Sequence, residues 1–208
     1  FDRASQVSEG AGAEAAKFVT EHGRSNALHW TPASGEAYST ALSNVVKNGA
    51  DAATEFGAAA DKVTATTNAA LPSDAQVIGA VQRARAGTPT TLVCAAGGLP
   101  GELHKLWQAE APGSYHMEYG FSTMGYEIAG GPGVKLAKPE SDVIVMVGDG
   151  SYMMLNAEIA SSIMLGAKLT VVLLDNAGYG CINRLQMATG GANFNNLLKD
   201  THHVTLPG

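Results

Sequence analysis

Two short polar segments of the sequence combine residue types that can bind a cation and a phosphate group. The first is Gly148-Asp149-Gly150-Ser151, in which one carboxylate stands between two glycines. The second is Asn176 with Gly178 two residues later. The Asp149 carboxylate, the Asn176 carboxamide and the Gly178 main-chain carbonyl offer oxygen ligands of the kind that Mg²⁺ prefers, and the two main-chain amides after Asp149 could receive phosphate oxygens. The pattern indicates a Mg²⁺ site for a ligand that carries a diphosphate.

Strands and helices must position these residues, and the pattern of the chain predicts both. Three short runs are apolar along their length, as in strands covered on both faces: residues 90–94, 143–147 and 169–174. Helices are predicted over residues 73–85, 102–108 and 152–165. The first of these helices begins at Ser73 and Gln76, which have the spacing of a capping box. Strands that alternate with helices indicate an α/β fold, a doubly wound parallel sheet with helices on both faces. Met153, Met154 and Met164 are expected in its core.

The two polar segments are expected to meet at one edge of this sheet. The carboxyl ends of parallel strands share an edge, and ligands bind there. Asp149 follows the second predicted strand and Asn176 the third, and the 25 residues between Gly150 and Asn176 fit one helix and one strand. Each segment alone also fits a structural role, since Gly-Asp-Gly forms tight turns and Asp-Asn caps helices. Their pairing favours the binding function.

Two other phosphate-binding motifs do not fit the sequence. A dinucleotide fingerprint GxGxxG beginning at Gly148 would require glycine at position 153, where the chain has Met153. A P-loop requires Gly-Lys followed by Ser or Thr, and no predicted strand leads into that pattern. The Mg²⁺ and diphosphate interpretation is therefore preferred.

Composition restricts the classes of function further. Apolar residues make up 45% of the 208 residues and charged residues 15%, which is enough apolar surface for a packed core. The net charge of −6 disfavours binding to nucleic acids and to anionic membranes. No apolar run reaches the roughly 20 residues that span a bilayer, so a cytoplasmic protein is expected. Cys94 and Cys181 match neither a disulfide framework nor a metal-binding pair.

The chain changes character near residue 71. Residues 1–70 are rich in small and polar residues, with short amphipathic pieces at 13–19, 36–46 and 52–63. They are expected to form a linker or the tail of a preceding domain. Residues 71–208 are expected to form the diphosphate- and Mg²⁺-binding domain. This domain is expected to be incomplete at its C-terminus, because the chain stops on Pro-Gly without a closing helix or strand.

The polar segments resemble a motif of a known family. Gly148-Asp149-Gly150, a gap of 25 residues and Asn176 are similar to the diphosphate-binding motif of thiamine-diphosphate-dependent enzymes. In that superfamily Mg²⁺ is held by the Asp, the Asn and a carbonyl two residues after the Asn. The resemblance therefore implies that Asp149, Asn176 and Gly178 are the metal ligands.

A second segment resembles the part of the same superfamily that contacts the thiazolium ring of the cofactor. This segment is Gly120-Phe121-Ser122-Thr123-Met124-Gly125. The resemblance implies that Met124 is the apolar wedge that bends the cofactor. It also implies that the main-chain carbonyl of Ser122, where relatives often have Gly, accepts a hydrogen bond from the aminopyrimidine.

Longer stretches narrow the resemblance to one hydrolase family. Residues 94–107, 116–120, 124–131 and 145–152 resemble the trihydroxycyclohexane-1,2-dione hydrolases of myo-inositol catabolism, and the likeness extends over about residues 71–186. It implies a hydrolytic opening of the cyclic 1,2-dione to 5-deoxy-glucuronate with thiamine diphosphate and Mg²⁺. The nearer alternative is a carboligase of the acetolactate or glyoxylate type, and the more distant one is a non-catalytic phosphate-binding α/β module.

The resemblance also concerns the groups that activate the cofactor. In related thiamine-diphosphate-dependent enzymes the cofactor is activated by a Glu from the pyrimidine-binding domain of a second subunit. We therefore expect a homodimer or homotetramer, and no activity from these residues alone. Glu118 and Glu127 are not assigned that role, and the catalytic residues stay unknown, with His104 and His116 as candidates. Related carboligases have a Gln-His pair before a Trp, and here His104 keeps the His whereas Leu103 replaces the Gln.

Overall fold

The structure is a computed structural model that describes residues 32–68 and 71–200. The amphipathic piece expected at 13–19 and the end of the chain after residue 200 lie outside the described residues. The chain divides into two units after Ala80. The assignment of residues 1–70 to a linker or a preceding domain stays a prediction.

Two helices of the first unit pack against each other. They are α1 (Pro32–Asn48) and α2 (Ala52–Thr64). The rings of Tyr38 and Phe56 lie 5.8 Å apart between them. The Asn44 side chain also donates a hydrogen bond to Glu55 at 2.8 Å. Aromatic packing and a polar contact thus join the two helices.

A third helix, α3 (Asp74–Arg85), begins at the predicted capping box. The Ser73 main-chain N–H donates to Oε1 of Gln76 at 2.9 Å, and the Gln76 N–H donates to Oγ of Ser73 at 3.3 Å. These reciprocal bonds satisfy donors that the first turn of a helix leaves without main-chain partners. The helix predicted at 73–85 is confirmed.

The second unit contains a parallel sheet of four strands. They are β1 (Thr90–Cys94), β2 (Tyr115–Met117), β3 (Asp142–Gly148) and β4 (Thr170–Leu174). The order across the sheet is β2-β1-β3-β4, and neighbours pair in parallel. The three strands predicted from apolar runs are confirmed. The sequence does not predict β2, because this short edge strand is half-exposed and has no apolar run.

The second unit also contains further helices. They are α4 (Gly98–Leu106), α5 (Tyr126–Ala137), α6 (Asp149–Leu155), α7 (Glu158–Met164) and α8 (Gly180–Ala188), followed by a short 3-10 helix at Leu198–Asp200. Val143, Val145 and Val147 of β3 pack with Ile128 of α5. The buried Met146 points to the opposite face, because successive side chains of a strand alternate, and α4 also contacts β3. The predicted α/β fold is confirmed.

The single helix predicted over residues 152–165 is wrong. The structure has two short helices there, α6 and α7, and the first begins at Asp149. Between them the Ile159 N–H bonds to the carbonyl of Asn156, three residues earlier, at 3.1 Å. This tighter turn interrupts the α-helical hydrogen bonding and changes which side chains share a face.

The expectation that three methionines face the core is also wrong. Met153, Met154 and Met164 are exposed by 66%, 46% and 87%. Their spacing would place the three side chains on one buried face only if residues 152–165 formed one continuous helix. The break between α6 and α7 means that they do not share a face. None of the described helices has the length and apolarity that would cross a bilayer.

The helix predicted at 102–108 both begins and ends earlier than expected, since α4 extends from Gly98 to Leu106. Pro100 lies in its first turn, where the missing main-chain N–H removes no helical hydrogen bond. Residues Gly98 to Gly101 therefore form the start of the helix.

Two helices of the second unit are absent from the predictions. Helix α5 contains three glycines and Pro132, which lower helix propensity, so no local signal predicts it. Packing explains its composition, since a Cβ on Gly131 would lie 2.7 Å from the side chain of Val145. Close approach to β3 thus requires glycine there. Helix α8 likewise has no capping side chain that would mark its start.

Candidate functional site

The two predicted polar segments lie side by side at the carboxyl edge of the sheet. Strands β3 and β4 are parallel neighbours, and Gly148 at the end of β3 is in register with Leu174 at the end of β4. The residues that follow, Asp149 and Asp175, therefore leave the sheet together. This is the edge at which open parallel sheets bind ligands.

The Asp149 carboxylate joins the two segments directly. It accepts the main-chain N–H of Gly178 at 2.7 Å on one oxygen and that of Asn176 at 3.3 Å on the other. Each carboxylate oxygen has a second lone pair, so these bonds leave acceptor capacity for a cation. The Asn176 side chain lies against Gly180, where a Cβ would be 3.0 Å from its Oδ1. The structure thus brings Asp149, Asn176 and Gly178 together through the main chain.

Glycine is required at two positions of this arrangement. Gly178 has a φ of +137°, a conformation that residues with side chains rarely adopt. A Cβ on Gly150 would lie 3.4 Å from the Gly178 carbonyl oxygen and 2.8 Å from the ring of Tyr179. The Gly178 carbonyl therefore faces the loop that carries Asp149, as a shared metal site requires. Loop 177–179 is held in turn by the N–H of Tyr179, which donates to the Asn196 carbonyl at 2.7 Å.

The predicted ligand set is one carboxylate, that of Asp149, with neutral oxygens. Across residues 32–68 and 71–200, no group of three or more His, Cys, Asp or Glu side chains is placed to bind a metal. A carboxylate, a carboxamide and a main-chain carbonyl suit Mg²⁺ that already carries phosphate oxygens, because this ion keeps an octahedral shell of mixed oxygen ligands. The residues present therefore fit a diphosphate-bound Mg²⁺.

The segment predicted to meet the thiazolium ring is a loop organised by Glu118. Its carboxylate accepts the main-chain N–H of Phe121 at 2.9 Å and that of Thr123 at 2.6 Å. These bonds, that of Phe121 first, lower the pKa of the Glu118 carboxyl. Ser122 between them has a φ of +54°, in the left-handed region. Met124 follows and is half-buried.

A buried hydroxyl connects this loop to the segment that carries Asp149. Oγ of Ser151 accepts the main-chain N–H of Gly125 at 2.7 Å and donates to Oε1 of Glu127 at 2.5 Å. Burial raises the pKa of the Glu127 carboxyl. Sequence reasoning predicted a role only for the Ser151 main chain and none for Glu127. No sequence signal reveals this contact, because the two side chains are 24 residues apart.

The two candidate catalytic histidines lie on other elements. His104 of α4 bonds through Nδ1 to the Tyr115 hydroxyl at 2.7 Å, and burial lowers its pKa. His116 of β2 bonds through Nε2 to the Tyr126 hydroxyl at 2.5 Å, and their rings stack. Within the part of the chain that the structure describes, neither histidine hydrogen-bonds to Asp149. Both stay candidates.

Comparison with protein families identifies the kind of domain that contains this edge of the sheet. Residues 95–206 match the thiamine pyrophosphate enzyme family, in its C-terminal TPP binding domain. This region is more than half of the chain and includes both segments that meet at Asp149. The chain belongs to this family. Strands β2, β3 and β4 and Asp149 at their carboxyl edge lie within this TPP binding domain.

Curated relatives of this TPP binding domain are named 3D-(3,5/4)-trihydroxycyclohexane-1,2-dione hydrolase. The protein of Halalkalibacterium halodurans is 52% identical over 105 residues, which are 50% of this chain and 16% of that protein. The protein of Shouchella clausii is 50% identical over 105 residues, again 50% and 16%. The protein of Bacillus thuringiensis is 53% identical over 103 residues, with the same two shares. The chain thus spans about one sixth of the length of these relatives.

A solved structure supports the fold of the TPP binding domain. The thiamine diphosphate-dependent 4-hydroxybenzoylformate decarboxylase of Rhodococcus jostii RHA1 superposes with a TM-score of 0.56 at 22% sequence identity. The match covers 64% of this chain and 25% of that protein. At this identity the similarity concerns the arrangement of strands and helices.

Proposed function

We propose that this chain is the diphosphate-binding part of a thiamine-diphosphate-dependent hydrolase that opens the ring of a cyclic 1,2-dione. The substrate class is that of trihydroxycyclohexane-1,2-dione, with 5-deoxy-glucuronate as the product. Family membership supports the cofactor, and identity of 50% to 53% with the named hydrolases supports the reaction.

The observation that carries the proposal is the contact of the Asp149 carboxylate with the main-chain N–H groups of Asn176 and Gly178. This contact supports a single site at the two strand ends, with oxygen ligands of the kind that Mg²⁺ prefers. In the proposed site, Asp149, Asn176 and the Gly178 carbonyl hold Mg²⁺. The main chain at Gly148, Gly150 and Ser151 binds the diphosphate.

The loop organised by Glu118 would bind the ring end of the cofactor. Met124 would support the bend of the cofactor, and the Ser122 carbonyl would accept the hydrogen bond of the aminopyrimidine. When bound, thiamine diphosphate supplies a carbon nucleophile and an electron sink for cleavage of a carbon–carbon bond. The contribution of this chain is to hold the two ends of the cofactor in place.

Several further features belong to the same proposal. The activating Glu would come from the pyrimidine-binding domain of a second subunit, in a homodimer or homotetramer. The cytoplasmic location expected from the sequence also stays a prediction. His104 and His116 are proposed as acid–base candidates toward the substrate.

The experiment that tests the site measures thiamine diphosphate binding by the full-length gene product, with Mg²⁺ and with a chelator. Removing an outer-shell partner of a metal typically weakens metal binding 10–100-fold, so loss of a ligand in Asp149→Ala or Asn176→Ala should weaken Mg²⁺-dependent binding by about 100-fold or more. The matched control is Asp142→Ala, which removes an exposed carboxylate at the opposite end of β3. Its effect should stay within about twofold, as for other surface substitutions.

Two outcomes would contradict parts of this proposal. Mg²⁺-dependent binding that survives both Asp149→Ala and Asn176→Ala would show that the ligands are assigned wrongly. A full-length protein that binds the cofactor but forms no ring-opened acid from trihydroxycyclohexane-1,2-dione, and instead condenses pyruvate or glyoxylate, would be a carboligase. Product analysis of both reactions separates these cases.

A further inference from the structure

A carboxyl group with no part in the proposed metal site lies at the centre of the second unit. Glu127 is exposed by only 1% and Ser151, its partner, by 3%. Oε1 of Glu127 accepts the Ser151 hydroxyl at 2.5 Å. Oε2 is equally buried and has no hydrogen bond of good geometry among the described residues, although the main-chain N–H groups of Gly125 and Glu127 lie near the carboxyl group.

This arrangement costs stability. A buried polar atom without a partner loses its hydrogen bonds to water and gains none in return. An apolar side chain of similar volume would fill the same space in the core without that penalty. The carboxyl group therefore needs a role other than packing, and its hydrogen bond to Ser151 shows which atoms it orients.

The Ser151 hydroxyl stands between two segments that would contact opposite ends of the cofactor. Its oxygen accepts the N–H of Gly125, the residue directly after Met124. Ser151 itself is two residues after Asp149. Because Glu127 accepts the hydroxyl proton, the oxygen lone pairs are directed at Gly125.

We propose that Glu127 is a positioning residue that acts through Ser151 to fix the distance between the Met124 loop and the Asp149 loop. The inference rests on the proposed function. It adds a pair of hydrogen-bonded side chains that keep the two loops of this chain's cofactor site at a fixed distance. A ligand that contacts both loops binds more tightly when their separation is set beforehand, since less ordering is needed on binding. A ligand that contacts only one loop gains nothing from it.

This difference gives a test with two probes. Thiamine diphosphate with Mg²⁺ contacts both loops, whereas inorganic pyrophosphate with Mg²⁺ contacts only the Asp149 loop. In the full-length gene product, Glu127→Leu and Ser151→Ala should weaken thiamine diphosphate binding about 10-fold, equivalent to about 1.4 kcal/mol. Pyrophosphate binding should change by less than about twofold, a difference below about 0.5 kcal/mol.

Conservative and distant substitutions serve as controls. Glu127→Gln keeps a side-chain oxygen that can accept the Ser151 hydroxyl, so it should restore most of the thiamine diphosphate affinity. Glu140→Gln changes an exposed carboxylate in the turn before β3 and should leave both affinities unchanged. Ser151→Ala removes the same link from the other side, so the test does not depend on the folding of Glu127→Leu.

A readout without cofactor tests the link itself. Hydrogen–deuterium exchange of the peptide that contains Gly125 should be about 10-fold faster in ligand-free Ser151→Ala than in wild type, because its N–H loses its acceptor. Glu140→Gln should leave this exchange rate unchanged.

The outcomes separate the inference from the proposed function. Equal losses of thiamine diphosphate and pyrophosphate binding in Glu127→Leu and Ser151→Ala would overturn the inference, since they would indicate general loosening. Unchanged binding of both probes and unchanged exchange would overturn it as well. A wild-type protein that binds neither probe would contradict the proposed function, and the inference with it.

Discussion

Thr123 donates its main-chain N–H to the carboxylate of Glu118 at 2.6 Å, and this bond closes the loop that leads to Met124. The same carboxylate also accepts the N–H of Phe121. A single half-buried side chain thus anchors a segment in which Ser122 adopts a left-handed conformation. The loop depends on this anchor because it lies between β2 and α5 and has no regular hydrogen bonding of its own.

Replacing Glu118 by Gln should loosen this loop in a way that depends on pH. The folded-state pKa of Glu118 is lowered from its ordinary value of 4.5. Its stabilisation is therefore present above pH 4.5 and is lost as the pH falls through the folded-state value. Denaturant unfolding from pH 7 to pH 3 should show the wild type more stable than Glu118→Gln at pH 7, with the difference vanishing in acid. Glu140→Gln is the control, and a difference that is constant with pH would contradict the assignment.

Replacing Ser122 by Gly should stabilise the protein. A residue with a side chain at a φ of +54° carries strain of about 1–2 kcal/mol, and glycine relieves it at an entropic cost of about 0.5–1 kcal/mol. The free energy of unfolding should rise by up to about 1 kcal/mol. Ser161→Gly, inside α7, should lower it by about 0.5 kcal/mol, because glycine is unfavourable within a helix. A free energy of unfolding that falls in Ser122→Gly as it does in Ser161→Gly would show that Ser122 is unstrained.

Two glycines of the same region should respond oppositely to alanine. Gly125 has a φ of +90°, and a Cβ there would lie 3.1 Å from Leu155 and 3.2 Å from Met154. Gly125→Ala should therefore destabilise the protein by about 1–3 kcal/mol. Gly133, in α5, has nothing within 4 Å of the position of a Cβ. Gly133→Ala should stabilise by about 0.5–1 kcal/mol, since alanine favours the helix.

Thermal unfolding of both glycine variants measures these effects. Thiamine diphosphate affinity adds a second readout, because Gly125 directly follows Met124 in the loop proposed to contact the ring end of the cofactor. If Gly125→Ala were as stable as Gly133→Ala, the left-handed conformation before α5 would be wrong.

His104 should carry its proton on Nε2 when neutral. The Tyr115 hydroxyl accepts the Cys94 thiol at 3.4 Å and lies 2.7 Å from Nδ1 of His104, so its own proton is available for donation to Nδ1. Nitrogen NMR shifts should report the Nε2–H tautomer in wild type and a mixture in Tyr115→Phe. The control Tyr119→Phe keeps the ring that packs against His104 at 4.8 Å and should not change the tautomer.

The pH dependence of the same histidine has a definite sign. Burial, and then the charge of Lys105, lower the pKa of His104 from its ordinary value of 6.5. The native state therefore favours neutral His104, and this contribution to stability is present above pH 6.5 and lost as the pH falls through the folded-state value. An NMR titration midpoint at or above 6.5 would contradict this direction of the pKa shift.

The sequence by itself determined the parallel sheet and the place of the candidate site. Apolar runs mark β1 and β3 because strands covered on both faces need no alternation of polar side chains. An apolar run also marks β4, although this edge strand is only half-buried. Asp149 and Asn176 follow two of these strands directly, so their meeting at one edge is a consequence of parallel topology. The capping box at Ser73 is equally local, since its two bonds lie within three residues of each other.

Only the tertiary structure decided which other groups support that site. Helix α5 forms despite its glycines and Pro132, because close packing on Val145 outweighs local propensity. The link between Glu127 and Ser151 joins side chains 24 residues apart, and its existence depends on how α5 and α6 pack together. Sequence spacing encodes contacts within an element or between adjacent strand ends. Contacts between packed elements arise from the shape of the core, which no local pattern specifies.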